Sequence, residues 1–192
     1  MDPELLIWNV FLEKKQVYFS EFTSFTKLSH SSLQNVLTKL VEKNYLHKEK
    51  TKAHVFYTIK NKEYAALQFS ILANKKFSSL PRSIRIPLDN FLRDLPSNIF
   101  SVILFGSASR GSEKKGSDID LLVIYEGNQD LLKISQKNSE ISKYPLSIFK
   151  YSVNDFIKNL DPLVIQAKKT GFPVKGAQFF YEATFNEYRE VL

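Results

Sequence analysis

The stretch SVILFGSASRGSEKKGSDIDLLVIYE, residues 101–126, constrains this chain more than any other. An apolar run from Val102 to Phe105 reads as a buried strand that ends at Gly106-Ser107, and after a polar loop a second strand is predicted from Asp118 to Tyr125. Side chains alternate along a strand, so Asp118 and Asp120 fall on one face at its beginning. Ile119, Leu121 and Val123 face the other way, while Leu122 and Ile124 carry the carboxylate face into the core. Two neighbouring carboxylates repel each other, and burying them together is costly unless a cation neutralises them. Oxygen ligands with room for water and phosphate oxygens suit Mg²⁺ or Mn²⁺. Ten residues earlier, Gly106 lets the backbone approach a phosphate closely. Ser107 offers an amide and a hydroxyl to phosphate oxygens where a helix is expected to begin. Arg110, Lys114 and Lys115 of the loop either help to neutralise a triphosphate or are ordinary exposed charges, the second reading being favoured for the two lysines.

The rest of the composition narrows the class. The chain has 192 residues, enough for one large domain or two small ones, and 43% apolar against 24% charged residues suits a globular protein. It has no cysteine, which excludes disulfides and thiolate metal sites and fits a cytoplasmic protein. Three histidines, His30, His47 and His54, are too few and too scattered for zinc. No secretory leader is evident at the N-terminus, and the longest apolar runs are far too short to cross a bilayer, so no membrane partner is expected. The net charge is +7. Residues 1–76 carry 12 Lys/Arg against 7 Asp/Glu, and residues 77–192 carry 15 against 13, so the excess lies in the first part. A polyanion is a candidate partner there, and a solvated lysine-rich surface is the alternative.

A break is expected between Asn74 and Ser83, where Lys, Ser and Pro gather. Before it, residues 4–13 read as a helix with Leu5, Leu6, Trp8, Val10 and Phe11 inward, and a short helix covers Phe19 to Lys27. In the next helix Leu33, Val36, Leu37, Leu40 and Val41 form one apolar face, and Ser31, Ser32, Gln34, Asn35, Thr38 and Lys39 face outward. Alternating Val55, Tyr57 and Ile59 predict a strand paired through a lysine-rich turn with a strand around Tyr45–Lys48, before a long helix from about Lys62 to Lys76.

In pattern, roughly residues 4–76 resemble the winged-helix domains of prokaryotic transcription regulators. The resemblance implies that Ser32, Gln34, Asn35 and Lys39 approach a major groove, where Gln and Asn can read adenine edges. It places Lys48, Lys50, Lys52 and His54 on the wing beside the backbone. It also implies a homodimer, because winged helices pair to read two half-sites. The alternatives are a protein-interaction module or a solvated helix face.

The spacing G-S-x(10)-D-x-D resembles the signature of the nucleotidyltransferase superfamily that includes DNA polymerase beta, especially its small prokaryotic members. The likeness covers about residues 99–183. It implies a two-metal transfer of a nucleoside monophosphate from a nucleoside triphosphate to a hydroxyl. Asp118 and Asp120 would be the catalytic, metal-holding acids, and Gly106, Ser107, Arg110 and Ser117 would bind nucleotide. The family supplies a third carboxylate from a later strand, here "YPLSIFKY", about five residues before a Ser that precedes a helix. Counting back from Ser152 gives Ser147, which has no carboxylate. Three readings stay open: an enzyme that recruits an acid from elsewhere, such as Asp155 or Asp161; a slow or metal-demanding enzyme; or a nucleotide-binding regulator without turnover. Small members of the superfamily are also partners of toxin proteins, an implication of analogy alone.

Further on, residues 128–143 read as a helix with Leu131, Leu132, Ile134 and Ile141 inward. Residues 153–170 read as one or two helices broken at Pro162, and a short strand and an aromatic-rich helix follow. Phe179, Phe180, Tyr181 and Phe185 could stack on a base, but burial in a core is favoured. The expected fold is α+β: a winged helix-turn-helix domain over 1–76, a helical connector over 77–98 and a nucleotidyltransferase-type mixed sheet with flanking helices over 99–192. The expected function is metal-dependent nucleotidyl transfer that acts on, or is directed by, DNA or RNA. The alternative is a non-catalytic DNA-binding regulator that senses nucleotide.

Overall fold

The structure, a computed structural model, describes residues 2–114, 116–127, 134, 136 and 143–187. It is a mixed α and β protein whose chain divides into two compact units, Met1–Leu72 and Ala73–Leu192. No helix among the described residues is long and apolar enough to cross a membrane.

The first unit runs α1 (Pro3–Phe11), β1 (Gln16–Tyr18), α2 (Phe19–Thr26), α3 (His30–Glu42), β2 (Leu46–Lys50), β3 (Val55–Ile59) and the first part of α4 (Lys62–Ser78). Asp2 caps α1 by accepting from the Glu4 amide, and Pro3 opens the helix, where its missing N–H costs nothing. Ser29 caps α3 through the Ser32 amide. The buried face of α1 is Leu5, Ile7, Trp8, Val10 and Phe11. Leu6, expected inward, is half-buried, and Ile7 takes the interior place instead. Trp8 is wholly buried, with the rings of Phe11, Tyr64 and Phe69 around it at 5.7–6.2 Å. Tyr64 and Trp8 both donate to one oxygen of Glu4, at 2.7 and 3.3 Å, so the polar ends of both rings are satisfied. On α3, Leu33, Leu37 and Leu40 are buried, whereas Val36 and Val41 are half-buried.

The sheet of this unit has the order β1-β3-β2, antiparallel throughout. The hairpin was legible from its alternation. β1 was not: three residues with one buried side chain, Val17, are too short to display a period.

The second unit contains α5 (Arg82–Asp94), β4 (Ile99–Phe105), α6 (Gly106–Arg110), β5 (Ile119–Tyr125), β6 (Leu146–Ser152), α7 (Val153–Lys158), α8 (Pro162–Thr170), β7 (Phe172–Lys175) and α9 (Ala177–Glu187). Its sheet has the order β6-β5-β4-β7, with β4 antiparallel to β5 and β7, and β6 parallel to β5. Val102 to Phe105 and Leu121 to Ile124 are all buried, as central strands covered on both faces require. β5 begins at Ile119, one residue after the expected start, so Asp118 stands just outside it. The helix expected over 128–143 falls largely outside the described residues; of its inward candidates only Ile134 is described.

Pro162 is the first residue of α8, capped by Asp161 through the Leu163 amide at 2.7 Å, so the proline starts a helix rather than interrupting one. Phe180 and Tyr181 of α9 are buried, and Phe179 packs on Phe100 and Phe156 at 5.5 and 6.1 Å, which makes these aromatics core. At the turn into α9, Gly176 has φ +63, and a β-carbon there would meet the Phe100 carbonyl oxygen at 1.8 Å.

Candidate functional site

β4 delivers the chain to the site, and Gly106, at φ +70, turns it into α6. Phe105, the last residue of β4, is the antiparallel partner of Asp120 on β5. This pairing brings the Asp120 carboxylate against the glycine: a β-carbon on Gly106 would lie 2.1 Å from Asp120 Oδ2 and 3.1 Å from Cγ. Glycine is therefore required here twice, by its backbone angle and by the acid seated on it. The sequence reading gave Gly106 a phosphate to approach; the structure adds a carboxylate as its immediate neighbour.

Asp120 is half-buried and Asp118 exposed. Desolvation pushes the Asp120 carboxyl above the usual carboxylate range, the Asp118 charge pushes it further, and Arg110 at the end of α6 opposes both. This is the electrostatic pattern of two acids that share one space with too little positive charge. The donor set, two carboxylates at the mouth of a sheet, suits a hard divalent cation, whose charge would relieve the mismatch.

Ser147 of β6 is the partner of Asp120 across the parallel β5–β6 pair, so the two side chains stand side by side on one face of the sheet. Ser152 is indeed the cap of α7, accepting from the Asp155 amide at 3.1 Å and donating to the Asp155 carboxylate at 2.7 Å. Asp155 accepts from the capping Ser152 hydroxyl and Asp161 caps α8, both beyond the far end of β6. That end lies about 16 Å from Ser147 at the rise of a strand. Among the described residues, no cluster of three acids or histidines that could hold a metal ion is formed.

The loop between α6 and β5 is organised by its serines. Ser112 donates from its amide to the Ser107 carbonyl at 3.1 Å, and the Ser117 hydroxyl accepts from the Lys114 amide at 2.8 Å. Ser107 is half-buried beside Gly106, while Arg110 and Lys114 are exposed; Lys115 lies outside the described residues. Buried Ser109 donates to the Gly106 carbonyl at 2.9 Å, which steadies the first turn of α6; sequence reading gave it no role.

In the first unit, Gln34, Asn35 and Lys39 are exposed on α3 and Ser32 is half-buried there. Lys48 and Lys50 are exposed on β2, with Lys52 and His54 exposed in the turn that follows.

Comparison with curated proteins gives no match. Solved structures similar to part of this chain include three toxin–antitoxin structures. One is a toxin–antitoxin complex with AMP-PNP, at 19% identity and TM-score 0.40, covering 55% of this chain and 87% of its own. The others are two mutants of the toxin–antitoxin MntA-HpeT. The first has 20% identity, TM-score 0.39, and coverage of 54% and 85%. The second has 18% identity, TM-score 0.40, and coverage of 54% and 86%. Residues 88–171, which run from within α5 to the end of α8 and hold Gly106, Ser107, Asp118, Asp120 and Ser147, match the model of the nucleotidyltransferase domain family.

Proposed function

We propose that the second unit is a metal-dependent nucleotidyltransferase that moves a nucleoside monophosphate from a nucleoside triphosphate to a hydroxyl. In the same reading the first unit is a winged helix-turn-helix that directs it to nucleic acid. The observation that carries the proposal is the Asp120 carboxylate, desolvated, crowded by Asp118 and seated on Gly106. A bound Mg²⁺ or Mn²⁺ supplies charge neutralisation at the reacting phosphate. Asp118 and Asp120 hold the cation. The Ser107 amide and hydroxyl take phosphate oxygens, and Arg110 offsets the charge of the triphosphate. Most of the catalytic effect in such a site comes from positioning and charge.

Ser147 supports a second reading. It is the strand partner of Asp120, it carries no charge, and of the acids that follow it Asp155 accepts from the Ser152 hydroxyl and Asp161 caps a helix. A site with two carboxylates retains nucleotide and metal, but holds the activating cation for the attacking hydroxyl weakly. The protein is then slow, or a nucleotide-sensing regulator. A protein partner of the toxin type, on the family analogy, is a further candidate acceptor.

The experiment is incubation with labelled nucleoside triphosphates, Mg²⁺ or Mn²⁺, and RNA, tRNA or protein acceptors. Transfer that disappears in Asp118→Ala supports the enzyme. Nucleotide binding without transfer, lost in Asp118→Ala, supports the regulator. Binding and transfer both absent in the wild type would end both readings.

A further inference from the structure

The first unit holds a cavity that the proposed chemistry does not use. Its volume is about 380 Å³, and it lies between the start of α2, one face of α3 and the β2–β3 hairpin. His30, Gln34 and Thr38, spaced by four along α3, form one wall. Phe19, half-buried at the start of α2, meets the His30 ring at 4.8 Å, and the buried Tyr57 of β3 contributes a third ring. Lys48 lines it from β2, and none of the lining residues is acidic.

The hairpin register makes the charge one-sided. Lys48 pairs with Tyr57 and Lys50 with Val55, and both Tyr57 and Val55 line the cavity. Paired residues share a face, so Lys50 continues the cavity side about 6.6 Å beyond Lys48. His47 and Glu49 alternate to the opposite face, where they meet each other at 3.5 Å. The acid of this strand is thereby kept away from the cavity, and two lysines lead outward from it.

A concave wall of this size suits one small planar group rather than the edge of a stacked base pair. Aromatic faces accept any base by stacking, the Gln34 amide offers a donor and an acceptor to a base edge, and spaced lysines follow phosphates. We infer that the cavity takes one unpaired base of a single-stranded nucleic acid, with the phosphates of its chain following Lys48 and Lys50. The inference rests on the nucleic-acid reading of the first unit and narrows it to unpaired strands.

The test uses the full chain, a fluorescein-labelled single strand of about 12 nucleotides and the duplex of the same sequence. The single strand binds about tenfold more tightly than the duplex. Gln34→Ala and Phe19→Leu, which keeps apolar volume but removes the ring, each weaken single-strand binding about fivefold or more, the scale of one lost stack or base-edge contact. Lys50→Gln lowers the salt slope by about one unit while leaving the single-strand preference intact. Equal or tighter duplex binding overturns the inference, as does single-strand affinity indifferent to Phe19→Leu and Gln34→Ala. Competition by free AMP or UMP as strong as that of the oligonucleotide removes the phosphate track and overturns it too. Tight binding of duplex alone leaves the broader nucleic-acid reading standing. Failure to bind either form sinks both.

Discussion

Asp120 and Ser147 are partners in the parallel pairing of β5 with β6, so the half-buried member of the acid pair has a neutral hydroxyl beside it on that strand. The expected consequence is gain of function on restoring charge. Ser147→Asp raises metal-dependent nucleotidyl transfer by about tenfold or more, the scale of one added ligand's worth of positioning in a two-metal site. Ser147→Asn, similar in size but uncharged, does not. Initial rates at several Mn²⁺ concentrations check this, with a lower half-saturating Mn²⁺ expected for the acid alone.

Gly106 and Asp120 are coupled by contact. Gly106→Ala is expected to destabilise the second unit by about 2 kcal/mol or more, through its left-handed backbone and the collision with the carboxylate. Asp120→Gly removes the obstruction but not the backbone strain. The double variant therefore recovers part of the loss and not all of it, a non-additivity read by denaturant unfolding of the four proteins. Strict additivity would mean that the two residues do not touch.

The raised Asp120 carboxyl gives a signed dependence on pH. A carboxyl that ionises less readily when folded costs the fold nothing below its unfolded value, near 4. The penalty appears as pH rises past that value and is complete above the folded one. Asp120→Asn is thus expected to raise the melting temperature by about 2 °C at pH 7 and by much less at pH 3.5. Millimolar Mg²⁺ with a nucleoside triphosphate stabilises the wild type at pH 7 and leaves Asp120→Asn unmoved. Thermal melts with and without ligand at the two pH values decide it.

Asp161 serves as a cap and Asp155 holds the hydroxyl of the capping Ser152, so their removal separates structure from chemistry. Asp161→Ala costs about 1 kcal/mol through loss of the α8 cap. Both Asp155→Ala and Asp161→Ala leave nucleotide affinity within about twofold of wild type, measured by calorimetry under conditions where each is fully folded. A tenfold loss in either would make that acid part of the site.

Much of this molecule was legible because its signals are local. The run Val102–Phe105 and the alternation at Val55–Ile59 announced their strands, whereas Pro162, expected to break a helix, starts one behind the cap Asp161. The acid pair and the glycine were singled out from their places along the chain, and Ser152 caps the helix from which the count back to Ser147 is made. What sequence did not reveal depends on contacts made through space. The carboxylate resting on Gly106 follows from the Phe105–Asp120 register, and the bond from Ser101 Oγ to the Lys175 carbonyl at 2.9 Å joins residues 74 positions apart. Likewise, the apolar face of α3 could be read from its period, but which polar stripe walls a cavity depends on where the hairpin lies.

The turn that closes the β2–β3 hairpin is tied by Thr51, whose amide and hydroxyl both donate to the His54 carbonyl while its hydroxyl accepts from the His54 amide. Strand geometry gives this small knot an outsized effect. A slip of one residue in β2 would exchange its two sides, turning Glu49 inward and both lysines outward, and the concavity would change from attracting anions to repelling them. An uncharged threonine at the tip therefore governs which sign of field the hairpin presents, without itself carrying any charge.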